Sequence, residues 1–213
     1  MQSAQLANGA KLKPFEVHSV FPTAIGKFEL GGGFTKNELR EIKSAYSDSQ
    51  TNFGNYLSKD TFVLERNELK RIKKFALESV NRFAVECLDV KNIKFRITQS
   101  WANMTEAGHF HHEHSHPNSI MSGVIYVDVS EGDCIRFRKD KVSEFRLHYN
   151  SFNQFTSPTF VVDAKIGEML LFPSMMYHDV PHVVSQNRVS IAFNTFVDGD
   201  LGNIEDLTNV KFN

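Results

Sequence analysis

The sequence predicts a mainly β fold, a sandwich or a barrel, with α-helices packed outside it. Two observations carry this prediction: helical periodicity of apolar residues ends near residue 88, and short β-rich runs begin near residue 94. The predicted strands cover residues 94–104, 120–129, 134–137, 160–162, 168–172, 177–184 and 188–197. So many closely spaced strands favour two packed sheets or a closed barrel.

The chain before residue 92 is expected to contribute two short strands and two helices. Residues 15–30 alternate loosely between apolar and polar side chains, with a break at Pro22. Thr35 and Glu38 have the spacing of a capping box, which predicts a helix that starts after Thr35. Over residues 68–88 apolar side chains recur every three or four positions, so a second helix should pack one face against the sheet.

Composition and charge indicate one globular domain. The 213 residues are 41% hydrophobic and 23% charged with a net charge of -1, so we expect neither disorder nor binding to nucleic acid or to an anionic membrane. Cys87 and Cys134 form no CxxC motif, which fits a reducing compartment. The first residues lack the apolar core of a signal peptide, and no stretch is long enough to span a bilayer. The simplest interpretation is a cytoplasmic protein.

The most informative feature is a cluster of histidines directly before a predicted strand. Five of the nine histidines lie within eight residues. Imidazole is the commonest protein ligand of first-row transition metals, and residues two apart on an extended segment point to the same side. His114 and His116 can therefore bind one ion together; His112 shares their side, whereas His109 and His111 do not. The cluster predicts a metal site, with an exposed histidine-rich loop of incidental metal affinity as the alternative.

A second polar group lies in the last two predicted strands. If these strands form a hairpin that turns at residues 185–187, one face carries five polar side chains: His178, His182, Arg188, Ser190 and Asn194. A buried arginine is rare without an anionic partner, and no acidic residue shares this face. We therefore expect a ligand with carboxylate groups, such as a small dicarboxylate, held by Arg188 and the Ser190 hydroxyl.

The residues of both regions together resemble a known family, the Fe(II)- and 2-oxoglutarate-dependent oxygenases, and within it a bacterial and phage group. The resemblance runs from about Trp101 to Asn194. Its motifs are Trp101-Ala-Asn103, Gly108, His114-Ser-His116-Pro117, Ser119, Ser122-Gly123-Val124-Ile-Tyr126, Leu171-Phe172-Pro173, His178, Arg188-Val-Ser190 and Phe193-Asn194. Each motif alone is weakly specific, and the set is more specific than any member.

The resemblance implies a double-stranded β-helix, a cupin-like jelly roll, with flanking helices. It implies one oxygenase domain over residues 1–213, with N-terminal strands and supporting helices in 1–92, the jelly-roll core in 93–200 and a C-terminal tail in 201–213. The implied cofactors are Fe(II) and 2-oxoglutarate, with O₂ as co-substrate. The implied reaction hydroxylates a protein side chain or a small metabolite and gives succinate and CO₂ as co-products.

Site residues follow from the resemblance position by position. His114 and His178 are similar to the first and last metal ligands of the family. Arg188 with Ser190 is similar to the anchor of 2-oxoglutarate, and Tyr126 is similar to a strand tyrosine that binds the same carboxylate in prolyl hydroxylases. No catalytic residue beyond the metal ligands is expected.

The middle metal ligand departs from the family pattern. Where prolyl hydroxylases have His-x-Asp, this chain has His114-x-His116, so the site has either three histidines or a carboxylate from another position. His111-x-Glu113 has the His-x-Glu spacing, which makes Glu113 the alternative to His116.

Two other classes of function are compatible with these residues. A cupin-type metalloprotein with three histidines, a dioxygenase or an isomerase, would not use 2-oxoglutarate. A non-enzymatic jelly roll would serve only binding or structure. In the oxygenase hypothesis the substrate is expected to contact loops at the barrel mouth, here residues 48–62 and 139–159.

Overall fold

Two antiparallel sheets packed face to face form the centre of the protein, and two helices cover the outer face of the larger sheet. The computed structural model describes residues 15–90, 93–139 and 147–212. The elements in chain order are β1 (Gly26–Glu29), α1 (Lys36–Ser47), β2 (Ser49–Thr51), β3 (Tyr56–Ser58), α2 (Lys70–Glu86), β4 (Lys94–Glu106), β5 (His111–His114), β6 (Met121–Asp128), β7 (Cys134–Arg138), β8 (Thr159–Asp163), β9 (Glu168–Pro173), β10 (His178–Val180) and β11 (Asn187–Asp198). Two 3₁₀ turns, Val63–Glu65 and Asn67–Leu69, precede α2.

The strand order is that of a double-stranded β-helix. The larger sheet has the order β1-β9-β6-β11-β4-β3-β2, and the smaller sheet has the order β5-β10-β7-β8. From β4 to β11 the chain crosses between the sheets at every connection except the β7–β8 pair, so consecutive strands wind around one interior. The predicted fold class is therefore confirmed.

The capping box at the start of α1 is present in full. The Glu38 backbone N–H donates to the Thr35 hydroxyl at 3.2 Å, and the Thr35 backbone N–H donates to the Glu38 carboxylate at 2.7 Å. Arg71 on α2 donates to the same carboxylate at 2.8 Å. Burial alone would raise the pKa of Glu38, but the hydrogen bonds from Arg71 and Thr35 lower it overall. One side chain thus caps α1 and joins it to α2.

The second predicted helix is confirmed as α2, which packs on the larger sheet. Its buried side chains Ile72, Val80 and Phe83 share one apolar core with Ile42 of α1 and with residues of the sheet. Among the described helices, none is long and apolar enough to cross a membrane.

Side chains along β11 point alternately to the apolar core beneath the helices and to the space between the two sheets. Val189, Ile191 and Phe193 belong to the core beneath the helices. Arg188 and Ser190 point the other way and line a small cavity between the two sheets. The strand thus contributes apolar side chains to stability and polar side chains to the cavity.

The predicted hairpin of the last two strands is wrong. Strand β10 pairs with β5 and β7 in the smaller sheet, whereas β11 pairs with β4 and β6 in the larger one. The predicted pairs of His182 with Ser190 and of His178 with Asn194 do not form; Ser190 instead lies opposite Asn103. The prediction assumed that strands adjacent in sequence are adjacent in a sheet, and here the chain crosses between sheets.

The N-terminal prediction is only half confirmed. Residues 26–29 form β1, but residues 15–20 form no strand, because no other strand of the described chain pairs with them. Phe15, Val17 and Val20 are exposed. Strands β2, β3 and β5 were not predicted, since each is only three or four residues long. Of the predicted loop 139–159, residues 140–146 lie outside the described residues; 147–158 form no strand or helix, and β8 begins at Thr159.

Candidate metal centre

Three predicted histidines meet at one end of the smaller sheet. His114 is the last residue of β5 and His178 is the first residue of β10, and the two are register partners. His116 lies beyond the end of β5, where its backbone N–H donates to the Ser174 carbonyl at 2.8 Å. Ring nitrogens of His114, His116 and His178 all lie within 4.8 Å of one another. We call these three residues the inner cluster.

Backbone carbonyls orient two of these rings. The Nδ1 atom of His114 lies 2.8 Å from the His112 carbonyl, and that of His178 lies 2.9 Å from the Met176 carbonyl. Because a carbonyl only accepts, each Nδ1 carries the hydrogen and each Nε2 keeps its lone pair. A carbonyl behind a ligating imidazole is the usual support of a metal site.

The inner cluster is electrically neutral without a metal. Burial lowers the pKa of His178 to about 3 and that of His116 to about 4, and the neighbouring imidazoles act in the same direction. Burial also lowers the pKa of His114. Neutral imidazole is the form that binds a metal, so the rings need lose no proton to do so near neutral pH.

The alternative middle ligand, Glu113, is placed differently. Its side chain is 46% exposed and forms an ion pair with Arg138. Among the described residues, Glu113 is not part of any group of His, Cys, Asp and Glu side chains close enough to hold a metal. His116 is in such a group, with its ring 4.9 Å from that of His114.

The cavity beside the inner cluster contains an arginine without an ionic partner. Arg188 is 2% exposed, its Nε atom has no hydrogen-bond partner, and it takes part in none of the ion pairs of the described residues. Its guanidinium lies 5.3 Å from the ring centroid of Tyr126. The Tyr126 hydroxyl is fully buried and also lacks a partner, and burial raises its pKa although Arg188 acts in the opposite direction. Unpaired buried polar groups are costly, so this pair fits an absent anion.

Asn103 is a further polar residue of the cavity to which the sequence assigned no role. In the larger sheet it lies opposite Ser190, which in turn lies opposite Tyr126 on the next strand. Its Oδ1 atom is buried without a partner. The available signal was its spacing of two from Trp101, which places both side chains on the cavity side of β4.

Two histidines differ from their predicted positions. His111 lies three residues before His114, so on an extended segment its side chain was expected on the opposite side. It lines the cavity instead, and its ring stacks on that of His114 with 4.4 Å between the ring centroids. The parity argument failed because the strand is short and its pairing with β10 shifts register between His178 and Val180. His182 is exposed and packs at 5.7 Å from the Phe110 ring, outside the cavity.

A sequence comparison matches the cavity-forming part of the chain to a known family. Residues 99–194 match the family described as "Putative 2OG-Fe(II) oxygenase". The match covers less than half of the chain, and the name of the matched family specifies an oxygenase with the cofactors 2-oxoglutarate and Fe(II). The three clustered imidazoles and the unpaired Arg188 fit these two groups. No curated protein sequence matches the chain.

Solved structures share the fold of this chain at low sequence identity. An oxidoreductase of the 2OG-Fe(II) oxygenase family from Burkholderia pseudomallei is 15% identical with a TM-score of 0.55, over 80% of this chain and 84% of that one. A prolyl hydroxylase from Trichoplax adhaerens, solved with a peptide of hypoxia inducible factor, is 13% identical with a TM-score of 0.55, over 81% and 83%. HygX from Streptomyces hygroscopicus, solved with nickel, 2-oxoglutarate and hygromycin B, is 13% identical with a TM-score of 0.51, over 81% and 82%.

Proposed function

We propose that the protein is an Fe(II)- and 2-oxoglutarate-dependent dioxygenase in which His114, His116 and His178 hold the iron. In the same proposal Arg188, with the hydroxyls of Ser190 and Tyr126, holds the distal carboxylate of 2-oxoglutarate. The observation that carries the proposal is the buried Arg188, with which no carboxylate of the described residues pairs, in the cavity that also contains the three neutral imidazoles. A guanidinium binds a carboxylate through two parallel hydrogen bonds, and the serine and tyrosine hydroxyls add donors.

The protein's own residues position these groups and keep water away. Bound Fe(II) with 2-oxoglutarate and O₂ supplies the oxidising chemistry, with succinate and CO₂ as co-products. His114 and His178 present Nε2 because backbone carbonyls hold their Nδ1 hydrogens. The rings of Phe172 and Phe137 lie 4.7 and 6.1 Å from that of His178, so they shield it from solvent on one side.

We propose hydroxylation of a protein side chain or of a small metabolite as the reaction. A groove of about 800 Å³ offers room for a protein side chain or a small metabolite. Its lining includes Met176 and three exposed aromatic side chains, Phe21, Phe152 and Phe160. The Met176 carbonyl is the one that orients His178, so the groove and the inner cluster adjoin. The solved prolyl hydroxylases have the same fold, which supports hydroxylation by analogy only.

We also propose one domain over residues 1–213, with its jelly-roll core in 93–200. The apolar core shared by α1, α2 and the larger sheet supports this organisation, since neither helix has a separate core. A cytoplasmic location stays a prediction from the sequence.

An anaerobic titration of purified protein with Fe(II) and 2-oxoglutarate tests the proposal. Bidentate binding of 2-oxoglutarate to the iron produces a visible metal-to-ligand charge-transfer band, which we expect in the wild type. Arg188→Ala should raise the 2-oxoglutarate concentration needed for the band by on the order of 100-fold, because truncating one partner of a buried charge pair costs about 2–5 kcal/mol. Arg82→Ala is the control, since that arginine pairs with Glu86 on the surface of α2.

Two results would contradict the proposal. A wild type that binds one Fe(II) but gives no band with 2-oxoglutarate would favour a three-histidine metalloprotein of the cupin type. A band that is equally strong in Arg188→Ala would show that Arg188 does not hold the cofactor.

A further inference from the structure

A second group of three histidines lies next to the inner cluster. Ring nitrogens of His111, His112 and His114 also lie within 4.8 Å of one another; we call these residues the outer cluster. Its ring centroids are 4.4, 5.2 and 5.3 Å apart, against 4.3, 4.9 and 5.2 Å in the inner cluster. The outer cluster thus has the spacing of the proposed iron site, and the proposed reaction does not use His111 or His112.

The two clusters share His114 and therefore exclude each other. The Nδ1 atom of His114 is held by the His112 carbonyl, so only Nε2 is free to bind a metal. One lone pair binds one ion. An ion bound through His114 therefore lies either with His111 and His112 or with His116 and His178, and a change between the two positions needs only a movement of the shared ring and the ion.

The outer cluster is closer to solvent than the inner one. His178 of the inner cluster is 5% exposed. His112 is partly exposed, and its Nδ1 atom lies 3.3 Å from the carbonyl of Phe53, whose side chain is 72% exposed. That carbonyl holds the Nδ1 hydrogen of His112 and leaves its Nε2 available. The shared His114 lies between the solvent side and the buried side.

Asn52 holds the third ring of the outer cluster. Its Nδ2 atom lies 3.3 Å from Nε2 of His111 and 2.9 Å from Oδ1 of Asn55. An amide presents either its nitrogen or its oxygen to an imidazole, so Asn52 supports both neutral tautomers of His111. With the nitrogen presented, as in the structure, Nε2 of His111 accepts and its Nδ1 carries the hydrogen. If both amides turn over, Nδ2 of Asn55, which is buried without a partner among the described residues, donates to Oδ1 of Asn52, and Nδ1 of His111 is free for an ion. The contact therefore orients the ring, and metal binding by His111 uses this second arrangement.

We propose that the outer cluster is a loading site for a divalent first-row metal ion. It takes up the ion from solvent through His112 and His111 and passes it to the inner cluster through the shared His114. This inference rests on the metal role of His114 in the proposed function.

Co(II), whose visible bands report its coordination, tests the site directly. We expect His116→Ala/His178→Ala to bind one Co(II) per chain saturably, because the outer cluster remains. Adding His112→Ala should weaken this binding by on the order of 10- to 100-fold. Loss of a residue that only hydrogen-bonds to a metal ligand weakens metal binding by that amount, so loss of a ligand should do at least the same. Adding His109→Ala instead should leave it unchanged, since His109 is exposed and belongs to neither cluster. No saturable binding in the double variant, or binding insensitive to His112→Ala, would overturn the proposal.

A kinetic measurement keeps the proposal testable if the double variant does not fold. In rapid mixing of metal-free protein with Co(II), His112→Ala should fill the inner cluster several-fold more slowly than the wild type and reach the same final spectrum. His109→Ala should match the wild type. Equal rates for His112→Ala and wild type would overturn the loading role. Failure of the proposed function has a different signature: Co(II) binds, but the wild type with Fe(II) and 2-oxoglutarate gives no charge-transfer band.

Discussion

At the scale of single residues, the site is defined by charge. Three neutral imidazoles would leave the two positive charges of Fe(II) uncompensated, and Arg188 adds a third inside the same cavity. The two carboxylates of 2-oxoglutarate would compensate most of this charge. Replacing one histidine by a carboxylate ligand, as in prolyl hydroxylases, would leave one positive charge less, so the identity of the middle ligand matters for cofactor binding.

Two amide variants separate the candidates for the middle ligand. We expect His116→Gln to weaken Co(II) binding by on the order of 10- to 100-fold, because its imidazole is within reach of those of His114 and His178. Glu113→Gln should leave binding unchanged, since its carboxylate pairs with Arg138. Equilibrium titration of the metal-free variants with Co(II) measures both effects. The opposite order of effects would make Glu113 the ligand.

At the scale of elements, the sequence predicted what local interactions decide. Helix α1 followed from Thr35 and Glu38, whose capping bonds form within four residues of chain, and α2 followed from its apolar period. The very short strands β2 and β5 gave no such signal, because pairing with distant strands determines them. The same applies to His111, whose direction depends on the irregular pairing of β5 with β10.

The pairing of β6 with β11 depends on a glycine. A Cβ atom on Gly123 would lie 2.2 Å from Cζ of Phe193, which is fully buried in the core beneath the helices. We expect Gly123→Ala to lower the free energy of unfolding by about 1–3 kcal/mol through overpacking. Gly123→Ala should cost less in a Phe193→Leu background than in the wild type, because the shorter leucine side chain makes room for the added methyl group. Urea unfolding measures the coupling; strictly additive losses would contradict the proposed contact.

At the scale of the whole molecule, burying neutral histidines makes stability depend on pH. Burial lowers the pKa of His178 to about 3 and that of His111 to about 2, whereas a histidine of the unfolded chain titrates near ~6.5. Below that pH the unfolded chain binds more protons than the folded one, so the stability of the metal-free protein falls as the pH falls toward the folded values. Each such group contributes a slope of up to about 1.4 kcal/mol per pH unit.

Urea unfolding of the metal-free protein at about pH 7, 6 and 5 checks this expectation, because these pH values bracket the ordinary pKa of histidine. His178→Gln should lose less stability over this interval than the wild type, because it has one buried imidazole fewer. Saturating Co(II) should reduce the pH dependence of the wild type near neutral pH, since bound metal stabilises the folded state. Parallel curves for wild type and His178→Gln would show that His178 is not held neutral by burial.

The sequence by itself determined the fold class, the two helices, most strands of the jelly roll and the residues that the proposed site uses. These features follow from local periodicity, capping and clustered residue types, all of which are readable along the chain. Only the tertiary structure decided that β10 and β11 lie in different sheets, that His116 joins His114 and His178 while Glu113 pairs with Arg138, and that His111 faces the cavity. The reason is physical: strand partners and the direction of side chains at strand ends are set by contacts between residues far apart in sequence.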